Sequence, residues 1–371
     1  MKSRSDLSGA KRIVIKIGSR LLADDVEGRV AMLAREVAAQ KVRGVECLIV
    51  TSGAIALGRK RLGMKERPRT IPGLQAAAAV GQGHLVHYYE RALSAVGLTA
   101  AQVLLTHDDV RNRRRYLNAR HAMIEMIGLG AVPIINENDT VSVDEIKFGD
   151  NDRLAALVCS ICEADLLIIL TDVDGLYDGD PHDATAKIVT EAHGPDAIDA
   201  LMSVAGGSNS GVGTGGMSSK LQAAKIAGRF GVATVIASGR QDDPVSAILR
   251  GDSMGSAFWP AVTTLQSRKH WIAFALKPAG KIIVDAGARR ALVESGKSLL
   301  PSGCRAIDGS FGVGDAVSVV DEAGYEFARG LCNYDSAEIE KLAGRKSAEI
   351  ETILGYKSVD EIVHRDDLVL L

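Results

Sequence analysis

An α/β fold, a three-layer αβα sandwich with a mainly parallel central sheet, is predicted for residues 1–260, followed by a small C-terminal β-rich domain. Three observations carry this expectation. Short Val/Ile/Leu-rich runs alternate with longer helical stretches, as in successive βαβ units. The runs are continuously apolar, as strands buried on both faces of a parallel sheet should be. Small, polar or acidic residues follow them: Gly18-Ser19, Ser52-Gly53, Asn136-Glu137-Asn138-Asp139, Asp172 and Ser238-Gly239. The carboxyl ends of parallel strands are where an open α/β sheet places its ligand, so the pattern points to an enzyme.

Taken in order, the strand candidates are Arg12–Ile17, Glu46–Thr51, Thr99–Leu105, Val132–Ile135, Leu166–Thr171 and Ala233–Ala237. Apolar residues at helical spacing mark Val30–Val42, Leu74–Ala95, Tyr116–Ile127, Arg153–Glu163 and Ser218–Phe230. After Phe258-Trp259-Pro260 the rhythm changes. Residues 261–277 read as a linker with a helix candidate. Residues 278–356 carry short strands (Lys281–Val284, Ala316–Val320, Tyr325–Gly330) between Gly-rich turns, which suggests a small β-barrel-like domain. The tail, 357–371, is expected to pack back onto one of the domains.

Apolar residues make up 46% and charged residues 24% of the 371, the balance of a soluble globular protein rather than a disordered one. A net charge of −2 and 4% aromatics offer neither a basic coat for nucleic acid nor a base-stacking platform. The polar start, Met1–Ala10, and the absence of ~18 uninterrupted apolar residues predict a cytoplasmic protein without membrane insertion. Five cysteines in apolar surroundings fit reduced thiols. Cys159-Ser-Ile-Cys162 reads C-x-x-C, but it lies in a helical pattern without a second pair or a nearby His, so buried thiols are expected rather than metal or redox chemistry.

Gly211-Val-Gly213-Thr-Gly215-Gly216 matches the dinucleotide fingerprint letter for letter, yet a Gly/Ser/Asn loop precedes it where the fingerprint needs a strand. Gly296-Lys297-Ser298 ends like a Walker A loop, but Ala291 breaks its spacing. The loop Gly206–Gly216, with six glycines, runs into a helix opening Met217-Ser218-Ser219-Lys220. Backbone N–H groups and a helix N-terminus there form an anion site suited to phosphates, against the alternative of a flexible surface loop. Lys220 in a first helical turn opposes the dipole unless an anion is present. Lys16 interrupts the apolar strand Ile13-Val-Ile-Lys-Ile, where a charge is costly unless it is paired, ligand-bound or snorkelling from the strand end. Two such lysines converging on a Gly-rich loop suit a transferring phosphoryl group. A third cluster, Asn136–Asp139 with Gly149-Asp150-Asn151-Asp152, is rich in carboxylates and amides. Asp152 reads as a helix N-cap, leaving Asp150 and Asn151 to orient a substrate amine or the lysines.

The motifs Val-Ile-Lys16-Ile-Gly-Ser, Ile-Val-Thr-Ser52-Gly-Ala-Ile-Ala, Pro-Ile-Ile-Asn-Glu-Asn-Asp139, Lys-Phe-Gly-Asp150-Asn-Asp152, Leu-Thr171-Asp172-Val-Asp-Gly-Leu-Tyr and Gly-Thr214-Gly-Gly-Met-Ser-Ser-Lys220 together resemble the glutamate 5-kinase family of the amino-acid kinase superfamily. Residues 278–356 resemble a PUA domain. The resemblance implies an amino-acid kinase fold and ATP-dependent phosphorylation of the L-glutamate γ-carboxylate, the first step of proline synthesis, with Mg2+ as cofactor and L-proline as inhibitor. It implies that Lys16 and Lys220 hold the ATP phosphates and that Asp152 orients them. It also implies that Ser52, Asp139 and Asn151 bind glutamate. Thr171, Asp172, Thr214, Gly215, Gly216, Met217, Ser218, Ser219 and Lys220 would line the nucleotide site. Arg20 departs from the family pattern, in which a small polar residue is expected.

The residues agree with that chemistry. No His stands out near the site, and His84 and His87 fall on a helix as surface residues. A glutamate side chain, with a pKa of about 4.3, is already ionised at neutral pH and needs no base. The competing enzymes are superfamily kinases acting on acetylglutamate, aspartate, carbamate or a nucleoside monophosphate. An RNA-binding role for the PUA-like domain is disfavoured, because 11 Lys+Arg against 16 Asp+Glu give residues 278–371 a net charge of −5. Arg111–Arg115 reads as a solvated helix face or a contact in a homo-oligomer.

Overall fold

The computed structural model describes residues 1–142, 151–179, 183, 185–205, 216–261 and 278–371. The chain divides into two compact units: Met1–Arg111 with Ala119–Thr264, and Asn112–Asn118 with Leu265–Leu371.

All six expected strands of the first unit are present: β1 (Arg12–Ile17), β2 (Glu46–Val50), β3 (Ala100–Leu105), β4 (Val132–Glu137), β5 (Leu166–Thr171) and, after a short edge strand β6 (Glu191–His193), β7 (Ala233–Ser238). A further strand, β8 (Ser256–Trp259), completes an eight-stranded sheet in the order β3-β4-β2-β1-β5-β7-β8-β6. Its pairings are parallel except β7 with β8. β1 sits centrally, with Lys16 opposite Val50 and Ile169, so its carboxyl end is flanked by those of β2 and β5.

Strand alternation decides where Lys16 points. Ile13, Ile15 and Ile17 share one core with Leu33 and Val37 of helix Val26–Val42 and with Leu85 and Leu93 of helix Ile71–Ser94. Lys16 alternates with them and faces the opposite side, where helices Asn151–Cys162 and Met217–Arg229 lie. Helix Ala54–Arg61 starts immediately after β2, at Gly53, whose φ of +105° only glycine adopts without strain.

The second unit holds β9 (Gly280–Val284), β10 (Cys304–Asp308), β11 (Ala316–Asp321), β12 (Glu326–Leu331) and β13 (Leu368–Leu370). They form one mixed sheet, β10-β9-β11-β12-β13, in place of the expected barrel-like closure. Helix Ser336–Leu342 contributes Ile339 and Leu342 to its core with Ile282, Val317, Val319 and Tyr334. The tail is part of this sheet: β13 pairs antiparallel with β12. Gly296 of the false Walker A sequence is the left-handed C-cap of helix Ala286–Ser295. The expected linker helix falls within 262–277, outside the described residues.

Candidate functional site

Three buried charges meet at the carboxyl end of β1. Lys16 is 5% exposed, Lys220 is 7% exposed and Asp152 is 1% exposed. Lys16 Nζ lies 2.6 Å from Asp152 Oδ1, and Lys220 Nζ lies 3.2 Å from Oδ2. Ser219 Oγ donates to the same Oδ2 at 2.8 Å. Asp152 is therefore not an N-cap: it stands inside the first turn of helix Asn151–Cys162, and its carboxylate is spent on groups outside that helix. Burial opposes its ionisation, but the two ammonium groups outweigh burial and draw the carboxyl down to about 2. Burial lowers Lys220 below the ordinary lysine value, with Asp152 opposing that fall and Lys16 adding to it.

Asp152 holds both ammonium groups, and Asp172 acts on Lys220 as well. Two buried ammonium groups fixed side by side are placed to meet an incoming anion. Lys220 reaches it from the first helical turn of Met217–Arg229, whose N-cap is Gly216. Met217, Ser218 and Ser219 form the start of that helix, while Thr214 and Gly215, with the remainder of the Gly-rich loop, lie outside the described residues. A helix, Gly194–Ala205, precedes the loop instead of the strand a dinucleotide fingerprint requires.

Thr171 and Asp172 end β5 beside this cluster. Thr171 Oγ1 donates to Asp172 Oδ1 at 3.1 Å, and Arg20 Nη1 stands 3.3 Å from Asp172 Oδ2. Burial works to raise the Asp172 carboxyl, but its backbone hydrogen bond and Arg20 leave it below the ordinary value. Arg20 is thus an arm laid over Asp172, with its side chain 55% exposed.

A second cluster lies where β2 and β4 end. Asn151 Nδ2 is within hydrogen-bond distance of Thr51 O (2.8 Å), Ser52 Oγ (2.7 Å) and Asn136 Oδ1 (3.0 Å). Asn136 Nδ2 in turn donates to Gln82 Oε1 at 2.7 Å. Tyr89 OH donates to Thr51 Oγ1 at 2.9 Å and braces the strand end from helix Ile71–Ser94. Asp139 is 4% exposed, and its Oδ1 has no hydrogen-bond partner among the described residues. Burial, with the neighbouring Glu137 charge, pushes its carboxyl up to about 7. Glu137 accepts from Ser142 Oγ and faces His107 Nδ1 at 3.6 Å.

Lys16, Lys220, Asp152 and Ser219 are therefore brought together, as are Ser52 and Asn151. Helix Asn151–Cys162 joins the two clusters through adjacent residues, Asn151 and Asp152. Asp150 lies outside the described residues. Sequence reasoning missed Gln82 and His107. The signal for Gln82 was an amide among the small apolar residues Ala76 to Gly83. The C-x-x-C cysteines are free and buried, with burial pushing Cys162 up to about 12. His87 is exposed beside Glu90, while His84 is half-buried. Among the described residues no helix is long and apolar enough to cross a membrane.

Comparison with known proteins identifies the family. The amino acid kinase family profile matches residues 11–238 and the PUA domain profile residues 280–354. A glutamate 5-kinase from Geobacter sp. (strain M21) is 50% identical over 98% of this chain and 99% of its own. Those from Citrifermentans bemidjiense and Moorella thermoacetica are 50% and 48% identical, over 98% and 99% of this chain and 99% and 98% of theirs. The chain belongs to the amino acid kinase family, in its glutamate 5-kinase group, and carries a PUA domain.

Proposed function

We propose that the protein transfers the γ-phosphoryl group of ATP to the γ-carboxylate of L-glutamate, giving L-glutamyl 5-phosphate and ADP. The observation that carries this reading is the buried Lys16–Asp152–Lys220 cluster, two ammonium groups held by one carboxylate next to Asn151. A γ-carboxylate oxygen forms the new P–O bond while the bond to the β-phosphate oxygen breaks and its electrons leave with ADP. The nucleophile is already ionised, so no general base is required. The obstacle is repulsion between two anions. Lys16 and Lys220 offset it, and Asp152 keeps their ammonium groups at fixed positions before substrate arrives.

Thr171, Asp172, Thr214, Gly215, Gly216, Met217, Ser218 and Ser219 line the nucleotide side in this scheme. Ser52, Asp139 and Asn151 hold glutamate, with Asp139 accepting its ammonium group. Magnesium would ride on the nucleotide. Among the described residues no group of three or more His, Cys, Asp or Glu could hold a metal ion, and both Asp152 oxygens already face lysines. Mg2+ bound through phosphates and water fits that donor set and would supply further charge neutralisation.

The reaction is the first step of proline synthesis, in the cytoplasm. Proline shares the α-carboxylate and amine of glutamate, so it is expected to inhibit by occupying an overlapping site near Asn136–Asp152. Residues 1–260 carry catalysis, while the PUA domain serves homo-oligomer assembly or regulation in preference to RNA contact. Trapping the acyl phosphate as a hydroxamate tests the reaction. Product with glutamate is expected, and turnover of acetylglutamate or UMP alone would overturn it. A folded 1–260 truncation without kinase activity would overturn the division of labour.

A further inference from the structure

The amide chain that ends at Ser52 leaves one group over. Thr51 O is a carbonyl and can only accept, so Asn151 must face it with its nitrogen. Asn136 must then present its oxygen to Asn151 and its nitrogen to Gln82. Gln82 must in turn present Oε1 to Asn136. One backbone carbonyl thus fixes the orientation of three side-chain amides in succession. The group left at the end is Gln82 Nε2, a two-proton donor that is shielded from solvent and has no hydrogen-bond partner among the described residues. A buried donor without an acceptor is unfavourable, and native sites that keep one use it on a ligand or water.

Just past the end of the strand that bears Asn136, an acceptor is left over as well, Asp139 Oδ1. A spare carboxylate and a spare amide N–H2 are the complement of an α-amino acid head: ammonium for the first, carboxylate for the second. We propose that Gln82 is a substrate-recognition residue whose Nε2 donates to the α-carboxylate of the amino-acid substrate. This rests on the glutamate reading above and adds a residue to it. Gln82 belongs to helix Ile71–Ser94, remote in sequence from the Ser52, Asp139 and Asn151 set.

Gln82→Glu keeps the oxygen that Asn136 uses and replaces only the spare donor, and Gln82→Leu removes both. With L-glutamate and full-length protein, both variants should raise KM by about 10- to 100-fold, the range for a hydrogen bond to a charged group, with kcat and the KM for ATP nearly unchanged. The separating probe is 4-aminobutanoate, which keeps the γ-carboxylate and amine but lacks the α-carboxylate. Gln82→Glu should not lose kcat/KM on it, because the contact removed does not exist there, whereas Gln82→Leu, which also strips Asn136 of its acceptor, should lose some on both substrates. Equal losses for Gln82→Glu on both substrates would show that Gln82 only supports Asn136 and would overturn the proposal, as would an unchanged KM for glutamate. A wild-type protein that makes no hydroxamate from glutamate would overturn the underlying reading, an outcome distinct from either.

Discussion

The two halves of the site are finished to different degrees. At the end of β1, Lys16, Lys220 and Ser219 all close on Asp152. At the ends of β2 and β4, Asp139 Oδ1, Glu137 Oε2 and Gln82 Nε2 remain without hydrogen bonds among the described residues. The difference teaches what each half is for. In the proposed reaction, the groups that must stand still during phosphoryl transfer are held by the protein itself, so no reorganisation is needed when charge moves. On the same proposal, the groups that select a substrate are the ones left open, for the amino acid to complete.

The largest effect should come from breaking the finished half at its centre. Asp152→Asn leaves two buried ammonium groups facing each other, and losing one side of a buried ion pair costs about 3–5 kcal/mol. Thermal unfolding should show that loss, and kcat should collapse with it; a fully stable, active variant would mean the lysines do not depend on Asp152. Because its folded carboxyl titrates at about 2, below the unfolded value, its stabilisation is present above roughly pH 4 and lost as the pH falls toward 2.

Lys220→Ala comes next. It should lower kcat by ~10²–10³ with little change in the KM for glutamate, by analogy with removing one transition-state donor. Steady-state kinetics decide, and an unchanged kcat would reject the role.

The open half should respond in binding instead. Asp139→Asn should raise the KM for glutamate by about 10- to 100-fold while kcat changes little. In the wild type, Asp139 must ionise to receive ammonium, so the KM for glutamate should fall as the pH rises through about 7. The free fold has the opposite sign: a raised carboxyl binds its proton more tightly folded than unfolded, so stability declines between about pH 4 and 7 and levels off above. A KM flat from pH 6 to 8 would remove Asp139 from ammonium binding.

The smallest effect belongs to Arg20→Ser. Its pair with Asp172 is over half exposed on the arginine side, and such pairs contribute only ~0–1 kcal/mol. Stability should barely move, and a large loss measured by calorimetry would assign Arg20 a buried partner instead.

The finished half is the legible one. Lys16 stands out because a charge inside Ile13–Ile17 contradicts everything around it, and Lys220 because it opposes the dipole of its own helix. Asp152 looks like a cap in the sequence because its true partners come from β1 and a distant helix, which local spacing cannot show. β6 and β8 escape notice because three- and four-residue strands carry too little periodicity. Glu163 fits the helical pattern before it, yet it is the only non-glycine residue with positive φ (55°) among those described, and it pairs with Arg120 at 2.7 Å. Gln82 is hidden for a different reason: its meaning depends on an amide chain running through Asn136 and Asn151.

Helix Ala54–Arg61 lies against helix Ile71–Ser94 with Gly58 and Gly81 at the crossing. A Cβ on Gly58 would fall on the backbone of Ala77 and Gly81, and a Cβ on Gly81 on the backbone of Ala54 and Gly58. The first helix begins next to Ser52, and Gly81 directly precedes Gln82. The crossing therefore works as a gauge block: two bare backbones, touching, set the separation between the strand end that bears Ser52 and the helix that bears Gln82. One methyl group at either glycine would widen that gap and, on the proposed reading, misfit the amino-acid head from outside the residues assigned to it.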